Sequence, residues 1–191
     1  MLFALCLLLG ASRALAQVRI GADAGYGNAD VNVEGIGFNE GPGSFSAFIE
    51  YPLHSRLSVG AQHVRSLKND AGEVSTAVSL TGLTARWYPL SSGPSGGESA
   101  LRAVKESIKS ENIALFVQGA AGFSQTSLRT KRVEDRGKGT SVGVYLGVET
   151  GLELPLTGQL GLMSVLGFNR TIMGTGTLQM LTATMGFYFI F

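Results

Sequence analysis

The sequence predicts an all-β fold: an eight-stranded antiparallel transmembrane β-barrel with one short helical insert. Three observations carry this. Apolar residues recur at every second position in eight segments, each about 10 to 15 residues long. Glycine makes up 27 of 191 residues, while charged residues are only 15%, against roughly 25% in an average soluble domain. The face opposite the apolar one is Gly, Ser, Thr and Gln, small enough for the inside of a narrow barrel.

The same numbers exclude other classes. Disordered tails are charged and apolar-poor, and this chain is neither. So much glycine costs up to about 1 kcal/mol at each helical site, which argues against a helix bundle. Past residue 16 no apolar run approaches the ~18 residues of a spanning helix. A net charge of +1 gives no support to a nucleic-acid binder.

Residues 1–16, MLFALCLLLGASRALA, read as a signal peptide. Its apolar run, Leu2 to Leu9, is too short to span, and Ala14-Leu15-Ala16 has the small-x-small form of a cleavage site before Gln17. No Lys or Arg precedes that run, which departs from the usual leader. Cys6 leaves with the leader, so residues 17–191 need no disulfide framework. Those residues form the barrel domain, with 14 basic and 14 acidic residues once Arg13 is removed.

The segments follow in order. Segment one, about 17–27, sets Ile20, Ala22, Ala24 and Tyr26 against Arg19, Gly21, Asp23 and Gly25. Segment two, about 43–52, sets Phe45, Ala47, Ile49 and Tyr51 against Ser44, Ser46, Phe48 and Glu50. Segment three, about 56–67, sets Leu57, Val59 and Ala61 against Ser58, Gly60 and Gln62. Segment four, about 74–89, sets Val78, Leu80, Thr84, Arg86 and Tyr88 against Ser75, Ala77, Ser79, Thr81 and Trp87; the more apolar face is taken as outward. Segment five spans about 112–127, with Leu115, Val117, Ala121 and Phe123 outward. Segment six, about 142–155, sets Val144, Leu146, Val148, Leu152 and Leu154 against Tyr145, Glu149 and Glu153. Segment seven, about 159–169, places Leu160, Leu162, Leu166 and Phe168 outward. Segment eight, about 177–191, does the same with Leu181, Met185, Phe187, Phe189 and Phe191. In lipid every backbone polar group must pair inside the protein, so such a sheet has to close.

A repeat fixes the ends. Segments two, four and six finish in EYPL, WYPL and ELPL, each followed by a polar turn. Proline cannot donate to a ladder and belongs at a strand end. All three lie on even strands, so they share the short-turn, periplasmic side, where Tyr51 and Tyr88 are expected in an aromatic belt. Arg86 is then expected to point outward and snorkel, unless a bulge turns it in. Longer loops, about 28–42, 68–73, 129–141 and 170–176, fall on the outer side. Residues 91–111 are the exception on the periplasmic side: a Gly/Ser-rich linker, then Ala100, Leu101, Val104 and Ile108 at helical spacing.

The inward face collects Arg19, Asp23, Glu50, Glu149 and Glu153 as an interior charge cluster. Charge in a narrow barrel must be paired or hydrated, and this set reads as a plug that fixes register or as a gate. Two scattered histidines, His54 and His63, supply no converging metal ligands, and no cofactor motif is present. His63 and Ser66 are three apart on a strand and face opposite sides, which argues against a catalytic dyad. The outer stretch with Arg129, Lys131, Arg132, Arg136 and Lys138 carries a local +3, suited to lipopolysaccharide phosphates or an anionic surface partner. Residues 28–42 carry Asp30, Glu34 and Glu40, a local −3.

The final residues, GFYFIF, with apolar side chains at alternate positions back to Leu181, resemble the C-terminal strand of Gram-negative outer-membrane barrels. With the leader and eight strands, residues 17–191 are similar to the small outer-membrane families: the outer membrane protein A membrane domain, outer membrane protein X and the opacity-type porin-like proteins. The resemblance implies a cell outer-membrane location. It also implies that Phe187, Phe189 and Phe191 address the chain to the barrel-assembly machinery. The expected function is an integral, non-enzymatic barrel, structural, surface-interacting or a narrow porin-like pore. The alternatives are a lipid-modifying outer-membrane enzyme and a soluble exported ligand-binding barrel.

Overall fold

The computed structural model describes residues 18–33, 36–40, 43–54, 56–66, 74–89, 113–130, 138–157, 159–174 and 176–191. The leader and the helical insert expected at 91–111 lie outside the described residues.

Nine strands are present: β1 (Arg19–Val33), β2 (Ile36–Glu40), β3 (Gly43–His54), β4 (Leu57–Ser66), β5 (Val74–Trp87), β6 (Ala114–Thr130), β7 (Lys138–Pro155), β8 (Leu160–Met173) and β9 (Gly176–Ile190). All pairings are antiparallel: β1 pairs with both β2 and β3, strands β3 to β9 pair in sequence, and β1 pairs with β9 to close the sheet. Strands β2 and β3 both pair with β1, and Ala29↔Glu40 and Tyr26↔Gly43 lie on one continuous register. They are two parts of one stave, so the barrel has the eight staves the sequence predicts.

The register also gives the barrel's shape. Asp23 is opposite Ser46, then the line runs through Val64, Leu80, Ser124, Gly143, Met173 and Gly176 to Val33. One circuit therefore climbs ten residues along β1, a shear of 10. For eight strands this gives a tilt of about 40° and a backbone radius of about 8 Å. Spreading the climb evenly over the staves ranks every residue by height.

The outward face is an apolar belt. It runs from a lower ring with Tyr51, Trp87 and Phe189 to an upper ring with Tyr26, Phe45 and Phe168, all exposed on the barrel wall. With Leu57 and Leu154 just below the lower ring and Phe123 and Leu181 just above the upper one, all exposed, the belt covers about nine residue levels, ~22 Å along the axis, close to the ~25 Å band of outer-membrane barrels. Above it the wall turns polar: Asn28, Asp30, Gln125, Ser127, Thr140 and Gln179 are exposed there.

The strands therefore outrun the expected loops. The loop read at 28–42 is largely the β1–β2 hairpin, with Val33 opposite Ile36. That read at 129–141 shortens to 131–137, because Arg129 pairs with Lys138. That read at 170–176 shortens to two residues, with Met173 opposite Gly176. Above the belt the outward face is polar while the inner face stays buried at Ala29, Val78, Leu178 and Met173, so the apolar-outward alternation that marked the strands no longer holds there.

Inside, glycines and aromatics are matched across strands. A Cβ on Gly151 would sit 2.6 Å from Phe116 Cζ, and one on Gly82 2.5 Å from Tyr145 OH. Gly21 and Gly161 likewise lie under Phe48 and Tyr188. At these four positions a small residue is needed because a large ring lies across it; at Gly25, Gly60, Gly122 and Gly186 a Cβ would meet the neighbouring strand's backbone instead.

Candidate functional site

The interior is built in three layers. At the height of the lower aromatic ring lies an ion-pair quartet, Arg19 on β1, Glu50 on β3, Arg86 on β5 and Glu153 on β7. Arg19 Nη1 and Nη2 donate to the two oxygens of Glu153, the first at 3.0 Å. Arg86 Nη1 donates to Glu153 Oε1 at 2.8 Å, and its Nη2 lies 3.0 Å from Glu50 Oε1. Arg19 Nη1 also donates to Tyr88 OH at 2.7 Å. Both guanidiniums are flanked by rings. Arg19 Cζ is 3.9 Å from the Tyr188 centroid and 5.4 Å from that of Phe48; Arg86 Cζ is 4.1 Å from that of Phe116 and 5.1 Å from that of Phe48. Two cations and two carboxylates balance in a site with almost no exposure. Burial of such charges is tolerable only when each is paired and hydrogen-bonded.

The middle layer is a polar network. Gln118 takes a hydrogen bond from Arg86 Nε at 2.7 Å on its carbonyl, and its amide donates to Gln62 at 2.7 Å and to Glu149 at 2.8 Å. Gln62 donates to the other Glu149 oxygen at 2.9 Å. Asp23 accepts a hydrogen bond from the Ser46 hydroxyl. The top layer is mainly apolar: Val64, Val78, Leu80, Tyr145, Leu178 and Met180 are buried together, with Ser124, Thr126, Asn169 and Thr171 buried among them.

The five charges expected inside are all inside, but they form two groups. Arg19, Glu50 and Glu153 meet in the quartet, while Asp23 and Glu149 lie one layer above. Arg86 and Tyr88 were expected outside and are buried at the centre of the site. Strand β5 is turned over relative to the expectation, without a bulge: Leu83, Ala85 and Trp87 face out. Its two faces are almost equally apolar, so hydropathy did not decide. Near the lower aromatic ring an outward Arg costs only about 0–1 kcal/mol, so what turns Arg86 inward is the pair of carboxylates it meets there, Glu50 and Glu153. Trp87, not Tyr88, joins the lower ring. The signal that finds Arg86 is charge: the predicted inward set holds four acids and one base.

His63 faces outward, within 2.8 Å of Thr81 Oγ1 and 3.3 Å of Ser79 Oγ. Ser66 points inward and accepts the Val78 N–H at 2.7 Å. The two residues share no face, as their spacing requires. Of the basic stretch, residues 131–137 lie outside the described residues, and Arg129 and Lys138 end their strands. Phe187, Phe189 and Phe191 all face outward at the end of the chain.

No protein-family model matches the chain, and no curated protein matches it. Solved structures do. Neisserial surface protein A superposes with a TM-score of 0.67 at 15% identity, covering 91% of this chain and 97% of that one. Ail, the attachment invasion locus protein of Yersinia pestis, superposes with a TM-score of 0.53 at 10% identity, covering 92% and 99%. A second structure of Ail, at a TM-score of 0.51 and 11% identity, holds the heparin analogue sucrose octasulfate and is covered over 99% of its length by 92% of this chain. By closure, strand count and these likenesses, the chain has the fold of the small eight-stranded outer-membrane β-barrels.

Proposed function

We propose that the protein is an integral barrel of the Gram-negative outer membrane that works without catalysis. It is a sealed, lipid-embedded scaffold that lifts a polar collar and its outer loops above the membrane. The observation that carries this is the outward apolar belt, about nine residue levels deep, on a sheet that the β1–β9 pairing closes around the belt. A soluble carrier would need a polar wall, whereas Leu83, Phe123 and Met185 are at least 70% exposed. A closed ladder pairs backbone groups within the protein, as hydrocarbon demands.

The interior supports a plug rather than a pore. A charged layer and an apolar layer both close the same bore, and eight staves leave room only for side chains. Lipid is the main partner. Arg65 and Arg170 are exposed on the wall at the top of the belt, at the level of headgroup phosphates. The basic stretch with Arg129, Lys131, Arg132, Arg136 and Lys138 would reach lipopolysaccharide phosphates or a polyanionic surface partner from above. Phe187, Phe189 and Phe191 would present the C-terminal strand to the assembly machinery.

The test is fractionation of a Gram-negative host expressing the chain. The reading expects the protein in the outer-membrane fraction, resistant to alkaline carbonate. It also expects a compact band before boiling and a slower one after. Recovery in the periplasm with no boiling shift would overturn it.

A further inference from the structure

The middle layer has a charge that nothing within it balances. Arg19, Arg86, Glu50 and Glu153 neutralise one another, so Asp23 and Glu149 remain as two carboxylates. No ion pair reaches them among the described residues. Both are buried, Asp23 at 6% and Glu149 at 9% exposure. Glu149 is held in place by Gln62 and Gln118, which bond both its oxygens. A cavity of about 20 Å³ lies between them; Ser44, Ser46, Thr182 and Thr184 line it beside the two carboxylates, and Phe45, Val64 and Val165 form its apolar wall. That is room for one water-sized occupant. An independent observation points to a ligand: Ser44 is 2% exposed, lines this cavity, and its hydroxyl has no hydrogen-bond partner.

We propose that this cavity is a binding site for one hard divalent cation, calcium rather than magnesium. The carboxylates of Asp23 and Glu149 and the hydroxyl of Ser44 are the ligands, with the hydroxyls of Ser46, Thr182 and Thr184 as the other oxygen donors of the wall. Two negative charges match one divalent ion. Oxygen donors select hard cations over those that favour nitrogen or sulfur. The donors come from β1, β3, β7 and β9 at uneven heights, which suits the flexible six- to eight-fold shell of calcium better than the strict octahedron of magnesium. Gln62 and Gln118 donate to the two Glu149 oxygens and so hold the carboxylate in a fixed orientation, as partners of metal-binding carboxylates do. The apolar layer above, with Leu80 and Met180, would keep bulk water off the ion.

The experiment uses the full chain refolded in detergent and checked for the unboiled compact band. Because the layers above and below close the cavity, refolding is done at graded concentrations of radioactive calcium, and the bound ion is counted after gel filtration. The expected result is one saturable ion per barrel, with an affinity near the 10⁻⁴–10⁻³ M of two-carboxylate extracellular sites. Asp23→Asn and Glu149→Gln should each weaken it at least tenfold, and Ser44→Ala severalfold. Ser44→Ala removes only a neutral hydroxyl, so it keeps the test alive if a carboxylate variant fails to fold. A tenfold excess of magnesium should leave calcium bound. No saturable site on the folded wild type, or binding unchanged in Ser44→Ala and in whichever carboxylate variants fold, would overturn the proposal. Displacement by equimolar magnesium would overturn the choice of calcium.

Discussion

Glu153 accepts hydrogen bonds from two guanidiniums, Arg19 and Arg86, and both are shut away from water. Removing one member of such a set leaves an uncompensated buried charge, which is worse than removing the set. Glu153→Gln is therefore expected to cost about 3–5 kcal/mol in urea unfolding followed by the fluorescence of Trp87. Adding Arg86→Met should cost less than the two single changes summed, with a coupling of about 0.5–3 kcal/mol. The interior glycines give a second test at this scale. Gly151→Ala drives a methyl into Phe116 and Gly161→Ala one into Tyr188, so each should cost about 1–3 kcal/mol. Gly119→Ala is the control, because nothing lies within 4 Å of its added Cβ; its effect should stay within about 0.5 kcal/mol. Equal effects at all three sites would show that strand propensity, not ring packing, selects glycine. The positions of Arg19, Asp23, Glu50, Glu149 and Glu153 were legible from strand parity alone. Their division into a neutral quartet and an acidic layer was not, because it depends on the shear and on Arg86.

Strand phase is decided by whichever side chains a strand can least afford to misplace. In β7 the outward Val and Leu residues settle it. In β5 neither face is decisively apolar, and Arg86 settles it by finding Glu50 and Glu153. The WYPL repeat shows the consequence. Its Trp87 faces out where Glu50 and Glu153, at the matching places of EYPL and ELPL, face in. A repeated string thus marked the common strand ends correctly while misleading about orientation. Strand length was underread at the outer ends, where the wall stands in water and alternation carries less information. The belt itself makes a depth-dependent prediction. Leu166 on β8 lies near mid-belt and Ile172, further along the same strand, lies above it, both exposed on the wall. Leu166→Arg should cost about 2–4 kcal/mol in lipid vesicles and Ile172→Arg about 0–1 kcal/mol, measured by reversible urea unfolding. Equal costs would contradict the placement of the belt.

At the scale of the whole molecule, fold and surroundings are read more directly than activity. Eight apolar faces, few charges and much glycine sufficed for closure, because lipid forbids an open edge. What the closed bore does depends on how its layers stack, and stacking follows from the register around the full circuit. The quartet blocks the bore near the lower aromatic ring, and the Leu80–Met180 layer blocks it near the upper one. Water and ions would have to pass both, so the barrel is expected to be sealed in its resting state. The most direct test is planar-bilayer recording on the refolded chain, using only preparations that run as the compact unboiled band. A sealed barrel predicts a flat baseline at moderate voltage, with no uniform steps. Stable, reproducible ohmic steps would contradict it and would mean that the charged layer lines a pore.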